Sequence, residues 1–151
     1  MSCLICERIQ MILDGTNPYF VKELTTGYVV LADHQKYSGY TIFLCKMHVD
    51  ELHQLPYDFR QKHLEEMSLV AEAAYHAFNA DIMNHAMLGN LDRHVHWHLI
   101  PRTKGDIPEN APIWSLPKEE LFKDCYRPNK EVLKEMVQRL NIEIDRLTRM
   151  N

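Results

Sequence analysis

No apolar run in this chain approaches the ~20 residues that cross a bilayer, so no membrane partner or span is expected. The first residues, Met-Ser-Cys-Leu-Ile-Cys-Glu-Arg, lack a basic segment followed by an apolar one. No secretory signal is therefore expected, and a cytoplasmic location is the default. A basic surplus is missing too: 17 Lys and Arg face 21 Asp and Glu, for a net charge of −4. That balance argues against a general nucleic-acid binder, which needs clustered cations to meet phosphates. There is no internal repeat and no low-complexity segment. Disulfides are not expected either, because the four cysteines of an intracellular chain serve better as metal ligands or buried thiols. What remains is an ordinary globular composition, 46% apolar and 25% charged over 151 residues, enough for one domain with a real core.

The most informative run is His94-Val95-His96-Trp97-His98-Leu99-Ile100-Pro101-Arg102. Its β-branched and aromatic residues suit a strand, and a strand sends alternate side chains to opposite faces. His94, His96 and His98 should share one face while Val95, Trp97 and Leu99 enter a core. Pro101 removes a ladder donor and is expected to end the strand. The α carbons of His94 and His98 would lie roughly 13 Å apart at about 3.3 Å per residue. That row is too long for all three rings to bind one metal, and fits an extended ligand better. A neutral imidazole can attack phosphorus while a second bonds the leaving oxygen. The bland alternative is a strand whose solvent face happens to carry polar residues, but strict alternation of three histidines speaks against chance.

Cys3-Leu4-Ile5-Cys6 supplies two thiolates at a spacing that can grip one Zn²⁺. Alone it is a weak motif, shared with redox pairs and with free thiols at a frayed end. Two further ligands are needed, and His48 and His94 are candidates.

The triad run resembles the signature of the histidine triad (HIT) superfamily, His-x-His-x-His followed by two apolar residues, here ending in Pro-Arg. The wider resemblance runs from Cys3 to Arg102. It implies a nucleotidyl hydrolase or transferase in which the middle histidine, His96 here, attacks an α-phosphate. It also implies an α+β, HIT-like fold and a homodimer. Matched to the zinc-bearing branch, the metal ligands are Cys3, Cys6, His48 and His94, a closed Cys₂His₂ set with a structural role. An acidic residue at the position of Asp33 often meets the nucleotide ribose in the family, although a turn aspartate is a natural reading as well. Asn84 matches an asparagine of the pocket floor, and Arg102 is taken as a substrate-binding cation. Departures exist. Tyr40 stands where many members have His, Asn90 where many have Gln, and Leu91 where Ser or Thr is common. A tyrosine hydroxyl can still donate a hydrogen bond at that place.

The pattern predicts a short helix over Cys3–Asp14, with Ile5, Ile9, Ile12 and Leu13 on its apolar side. Strands are predicted at Tyr19–Val21, Gly27–Ala32, Tyr40–Leu44 and Asp81–Met87, with the triad strand fifth. Asp58 and Gln61 read as a capping box for a long central helix. That helix would bury Leu64, Met67, Ala71, Ala74 and Phe78 and leave His63 and His76 toward solvent or local contacts. His53 and His85 are expected away from the site. Asn129 caps a last helix with Val132, Met136, Leu140, Ile144 and Leu147 on its buried stripe. The expected organisation is one domain over residues 1–151, with a core at 3–102 and a loop and helix at 103–151. Trp114, inside that loop, could cover a base or sit in a dimer contact.

The leading functional expectation is hydrolysis of nucleoside phosphoesters, phosphoramidates or dinucleoside polyphosphates at the α-phosphate. His96 would be the nucleophile, His98 would bond a phosphate or leaving-group oxygen, and His94 would buttress His96. Asn84, Asn90, Asp33 and Arg102 are the expected substrate contacts. Alternatives are nucleotidyl transfer, with Arg93, Arg102 and Lys104 as the only nearby cations for an acceptor, and a non-enzymatic nucleotide- or zinc-binding dimer. A further alternative makes the triad itself a catalytic zinc site.

Overall fold

The computed structural model describes residues 2–151. Helix α1 (Leu4–Leu13) leads into strands β1 (Phe20–Glu23), β2 (Gly27–Leu31) and β3 (Thr41–Cys45). The long helix α2 (Tyr57–Ala77) connects to β4 (Ile82–Ala86) and β5 (His96–Arg102). A mainly irregular stretch holds the single turn of α3 (Lys118–Leu121), and α4 (Lys130–Met150) closes the chain. All strand pairs are antiparallel, and the sheet order is β1-β2-β3-β5-β4. The α+β, mainly antiparallel five-stranded expectation is met.

Period-2 alternation divides the sheet into two faces. Val29, Leu31, Phe43 and Leu99 point to one side, where Val70, Ala74, Leu140 and Ile144 of α2 and α4 cover them. The other side carries Val30, Ile42 and Leu44 beside His96 and His98, since Ile42 pairs with His98 and Leu44 with His96. Helix α1 covers one end of that second face through Ile5, packed with Tyr28, Val30 and Leu44. Residues 113–121 cover the other end through Ile113 and Leu121 against Ile100 and Tyr40. The gap between these covers is a cavity lined by His96 and His98.

Beneath the sheet the triad strand meets a buried polar chain. The Trp97 indole N–H donates to His63 Nε2 at 3.1 Å, so the ring proton of neutral His63 sits on Nδ1 and points to Thr26 Oγ1 at 2.9 Å. The Thr26 hydroxyl in turn donates to Glu66 Oε1 at 2.5 Å, and the Thr25 and Thr26 amides donate to the same carboxylate. Every member is matched, and among the described residues no buried polar side-chain atom lacks a partner. A satisfied network of this kind specifies one core arrangement; a half-satisfied one would destabilise it.

Several local expectations are corrected. His63 is fully buried, not turned to solvent, and Leu64 is exposed. The stripe of α2 is shifted because the helix lies close to its neighbours through Ala71, Ala73, Ala74 and Ala77. On α4 the stripe begins with Leu133, and Val132 is 43% exposed. Leu13 is also exposed. Helix α2 starts behind Pro56 with no side-chain cap, and Gln61 bonds the Tyr57 hydroxyl. The capping box lies a few residues earlier, between Glu51 and Gln54. Pro101 does not end β5, which runs on to Arg102. Its missing N–H faces the β3 side, where pairing has already stopped at Leu99. The Asn129 cap is present: its side chain accepts from the Val132 amide at 2.9 Å.

Candidate active site

His96 and His98 project from β5 into a cavity of about 460 Å³, a size that takes a small organic ligand. Its walls come from distant parts of the chain. Leu4, Ile5 and Arg8 belong to α1, Asp33 and His34 follow β2, and Gly89 and Asn90 belong to the β4–β5 turn. Trp114, Lys118 and Phe122 come from the C-terminal stretch.

The two ring orientations are set by backbone and side-chain partners. His96 is 7% exposed, and its Nδ1 lies 2.6 Å from the His94 carbonyl oxygen. A carbonyl only accepts, so Nδ1 carries the proton of the neutral tautomer, whose Nε2 lone pair has no hydrogen-bond partner among the described residues. His98 Nδ1 lies 2.6 Å from the Tyr40 hydroxyl. Burial pushes His98 down to about 4, with a smaller contribution from neighbouring His96, so the His98 ring is neutral at physiological pH. Trp114 meets the His98 ring edge-on at 5.3 Å between centroids.

His94 does not share that cavity. It precedes β5 and its ring turns toward the N-terminus, stacked on His48 at 4.6 Å. Its Nε2 donates to the Cys45 carbonyl at 2.7 Å, which leaves Nδ1 unprotonated, 3.5 Å from both Cys3 Sγ and Cys6 Sγ. His48 repeats the arrangement, with Nε2 donating to the Arg93 carbonyl at 3.1 Å and Nδ1 3.2 Å from Cys6 Sγ. The four potential ligand atoms of Cys3, Cys6, His48 and His94 all lie within 4.8 Å of one another. Tetrahedral zinc with Zn–S of about 2.3 Å and Zn–N of about 2.0 Å separates sulfur from nitrogen by about 3.5 Å, so the set fits. Both imidazoles are aimed by a carbonyl behind them, as metal-binding histidines commonly are. His94 thus serves two structures at once: its ring belongs to the cluster, and its carbonyl orients His96.

The expected substrate contacts divide. Asn90 and Asp33 line the cavity, and Asp33 is paired with Arg8 Nη2 at 2.8 Å. Asn84 and Arg102 do not line the cavity and are held to each other at 3.0 Å. Arg102 is 5% exposed and donates to Asp106, Asn84 Oδ1 and the carbonyls of Ala111 and Pro108. With its donors taken, it clamps the loop after β5; Asn84 belongs to the same clamp. Arg8, Lys118 and Phe122 carried no local motif and were not anticipated.

A family model described as HIT domain matches residues 19–105. The chain belongs to the HIT family. Solved structures of the family share its fold. A histidine triad nucleotide-binding protein from Sulfolobus tokodaii is 22% identical, with TM-score 0.73 and 95% of each chain covered. A zinc-bound histidine triad family protein from Mycobacterium smegmatis is also 22% identical, with TM-score 0.67, covering 100% of this chain and 99% of that one. One from Marinobacter aquaeolei VT8 is 24% identical at TM-score 0.71, covering 85% and 89%. No curated protein matches the chain. The HIT match ends before Trp114, Lys118 and Phe122 and begins after Arg8, so those walls of the cavity lie outside the matched region. No helix among the described residues is long and apolar enough to cross a membrane.

Proposed function

We propose that this HIT protein hydrolyses a nucleotide substrate at its α-phosphorus through a nucleotidyl-histidine intermediate. The observation that carries the reading is the free Nε2 of His96, held facing the cavity by the Nδ1–H bond to the His94 carbonyl. In the first step that lone pair bonds to phosphorus, and the bond from phosphorus to the leaving group breaks with its electrons on the leaving atom. In the second, water bonds to phosphorus and the P–N bond breaks with its electrons returning to Nε2; one water hydrogen stays on the departing mononucleotide and the other leaves to solvent as a proton. His98, the ring beside it, contacts the phosphate or leaving-group oxygen. Positioned dipoles of this kind supply most of the rate in phosphoryl chemistry. The apolar side chains of Ile5, Val30, Ile42 and Leu44 form a slot suited to a base, and Asp33 with Arg8 suits the sugar end. The name of the Sulfolobus tokodaii relative, a nucleotide-binding protein, agrees with this class of ligand.

Hydrolysis is put first because Arg102 and Arg93, two of the cations expected for a transfer acceptor, do not line the cavity; Lys118, which does, is a cation an acceptor would meet. Arg102 is fully engaged by its loop, while Arg93 is 79% exposed and pairs with Asp50. Cys3, Cys6, His48 and His94 would hold zinc in a closed structural site that ties α1 to the triad strand, and the zinc-bound Mycobacterium smegmatis relative supports this. His96 and His98 lie outside that cluster, against a triad-centred catalytic zinc. A homodimer is also part of the reading. Strand β4 is a sheet edge, with Ile82 60% exposed and Leu88 and Leu91 exposed in the turn beyond it, and an uncovered edge is a template for pairing. The decisive experiment incubates wild type and His96→Asn with a fluorogenic adenosine phosphoramidate and with diadenosine tetraphosphate. Turnover by wild type alone is expected; tight AMP binding by calorimetry with no turnover of any substrate would favour a non-enzymatic binder.

A further inference from the structure

Tyr40 is 7% exposed, and among the described residues its one side-chain hydrogen bond is the 2.6 Å contact with His98 Nδ1. Its backbone is held on three sides: the Tyr40 amide donates to the Tyr37 carbonyl, and the Tyr40 carbonyl accepts from the Ala32 amide and from Gln35 Nε2. The preceding Gly39 has φ +93° and sits against the Phe78 ring, where a Cβ would collide. The ring of Tyr40 therefore has little freedom to leave His98.

Both partners of this bond are neutral near pH 7. Burial lowers the His98 imidazole and raises the Tyr40 phenol, so neither holds a charge. Between a neutral phenol and a neutral imidazole, the phenol is the better donor and the ring nitrogen the better acceptor. The hydrogen bond then runs from the Tyr40 O–H to His98 Nδ1, and the ring proton of His98 stands on Nε2. Two neighbouring imidazoles, 5.0 Å apart, are thereby held in opposite tautomers. His96 offers the cavity a lone pair, and His98 offers it an N–H.

We propose that Tyr40 is a positioning residue that locks His98 as an Nε2–H donor, and that this pair selects substrates whose leaving group departs as a stable anion. This rests on the nucleotidyl-transfer reading of the site. A neutral imidazole donates a hydrogen bond to a leaving oxygen without giving up its proton. Polyphosphate, phosphate and carboxylate depart as anions, with the electrons of the broken P–O bond on oxygen and no proton required. An alkylamine departs only if a proton reaches its nitrogen as the P–N bond breaks. Among the described residues, the Tyr40 hydroxyl and His98 have no carboxylate or cation hydrogen-bonded to them that would hold such a proton ready.

The test has two readouts. Long-range proton–nitrogen NMR of histidine-labelled wild type reads the tautomer directly, without any variant. His98 is expected with Nδ1 bare and Nε2 protonated; the reverse assignment overturns the lock. Kinetics then compare diadenosine tetraphosphate with the alkylamine phosphoramidate of AMP. Wild type is expected to prefer the polyphosphate by about a hundredfold or more in kcat/KM, the scale of a general-acid contribution. Equal turnover overturns the selectivity. In Tyr40→Phe, kcat on the polyphosphate should fall about tenfold, the worth of one hydrogen bond, with KM nearly unchanged and the His98 signals showing both tautomers. Unchanged kcat and an unchanged tautomer would reject Tyr40 as the lock. A His96→Asn protein as active as wild type would instead reject the nucleotidyl-histidine reading while leaving the NMR result standing.

Discussion

Strand β5 carries histidine chemistry on one face and meets it on the other, and the two sides are built differently. Below the sheet, His63 has both ring nitrogens occupied by the protein, one by the Trp97 indole and one by the Thr26 hydroxyl. Above it, His96 and His98 each have one nitrogen occupied, by the His94 carbonyl and the Tyr40 hydroxyl, and the other turned to a cavity. Burial is similar, since His63 is 0% exposed and His96 is 7%. Depth therefore does not separate a ring closed off by the protein from one turned to the cavity. The count of unspent nitrogens does.

The sharpest way to break this comparison is to remove one ring from each face. His96→Asn is expected to lower kcat by about 10⁴-fold or more, as loss of a nucleophile does, while its urea midpoint stays near that of wild type. His63→Leu should do the opposite. It leaves the Trp97 N–H and the Thr26 hydroxyl without their buried partner, a loss of about 2–4 kcal/mol, with turnover per folded molecule within a few-fold of wild type. Denaturant unfolding beside single-substrate kinetics reads both. A His63→Leu protein that folds as well as wild type but turns over poorly would erase the distinction.

Acid should probe the same asymmetry. Burial pushes His63 down to about 4, with the Glu66 charge opposing part of that shift. The unfolded chain takes up a proton near pH 6.5, whereas the folded one resists until about 4. Stability is therefore complete above pH 6.5 and falls as pH drops from 6.5 toward 4, by up to about 3 kcal/mol for this residue. His98 contributes in the same direction. The urea midpoint measured from pH 7.5 to 4.5 should fall in wild type and fall less in His63→Leu; parallel curves would show that His63 is not the titrating group.

Smaller effects are expected at the edges of the cavity. Cys6→Ser should lower the thermal midpoint of zinc-loaded protein by several degrees and remove the response to a chelator, because one ligand of the cluster is lost. An identical midpoint in wild type with and without chelator would count against a structural zinc. Arg8→Ala, which removes the closer of the two Asp33 ion pairs and leaves Arg127 at 3.9 Å, should change KM by less than about tenfold and leave kcat alone, the behaviour of a contact equal in ground and transition states.

Parts of this asymmetry are readable from residues in a row. His96 and His98 alternate with Trp97 and Leu99, so a period of two assigns the faces before any coordinates. Cys3 and Cys6 form a local motif with His48 and His94 as candidate partners, but the full set of four is assigned only through the family likeness, because each histidine stands 42 or more positions from the cysteines and shares no local signal with them. His63 was misjudged for a physical reason. Helix α2 packs through alanines, so its buried side is shifted from the line of large apolar residues that periodicity follows. The Arg102–Asp106 pair is not legible in the sequence, because a basic residue at a strand end looks the same whether its partner is a phosphate or a carboxylate.

Local chemistry, then, was enough to establish the strands, the main helices, the alternation that sets His96 and His98 on one face, and the class of fold. Those features depend on neighbours within a few residues, whose spacing is written directly in the chain. Long-range packing had to decide which nitrogen of each ring is spent, that Tyr40 stands behind His98, and that Arg8, Trp114 and Lys118 close the cavity. A hydrogen bond is a matter of a few tenths of an ångström between groups brought together by the whole fold, and no pattern along the backbone carries that information.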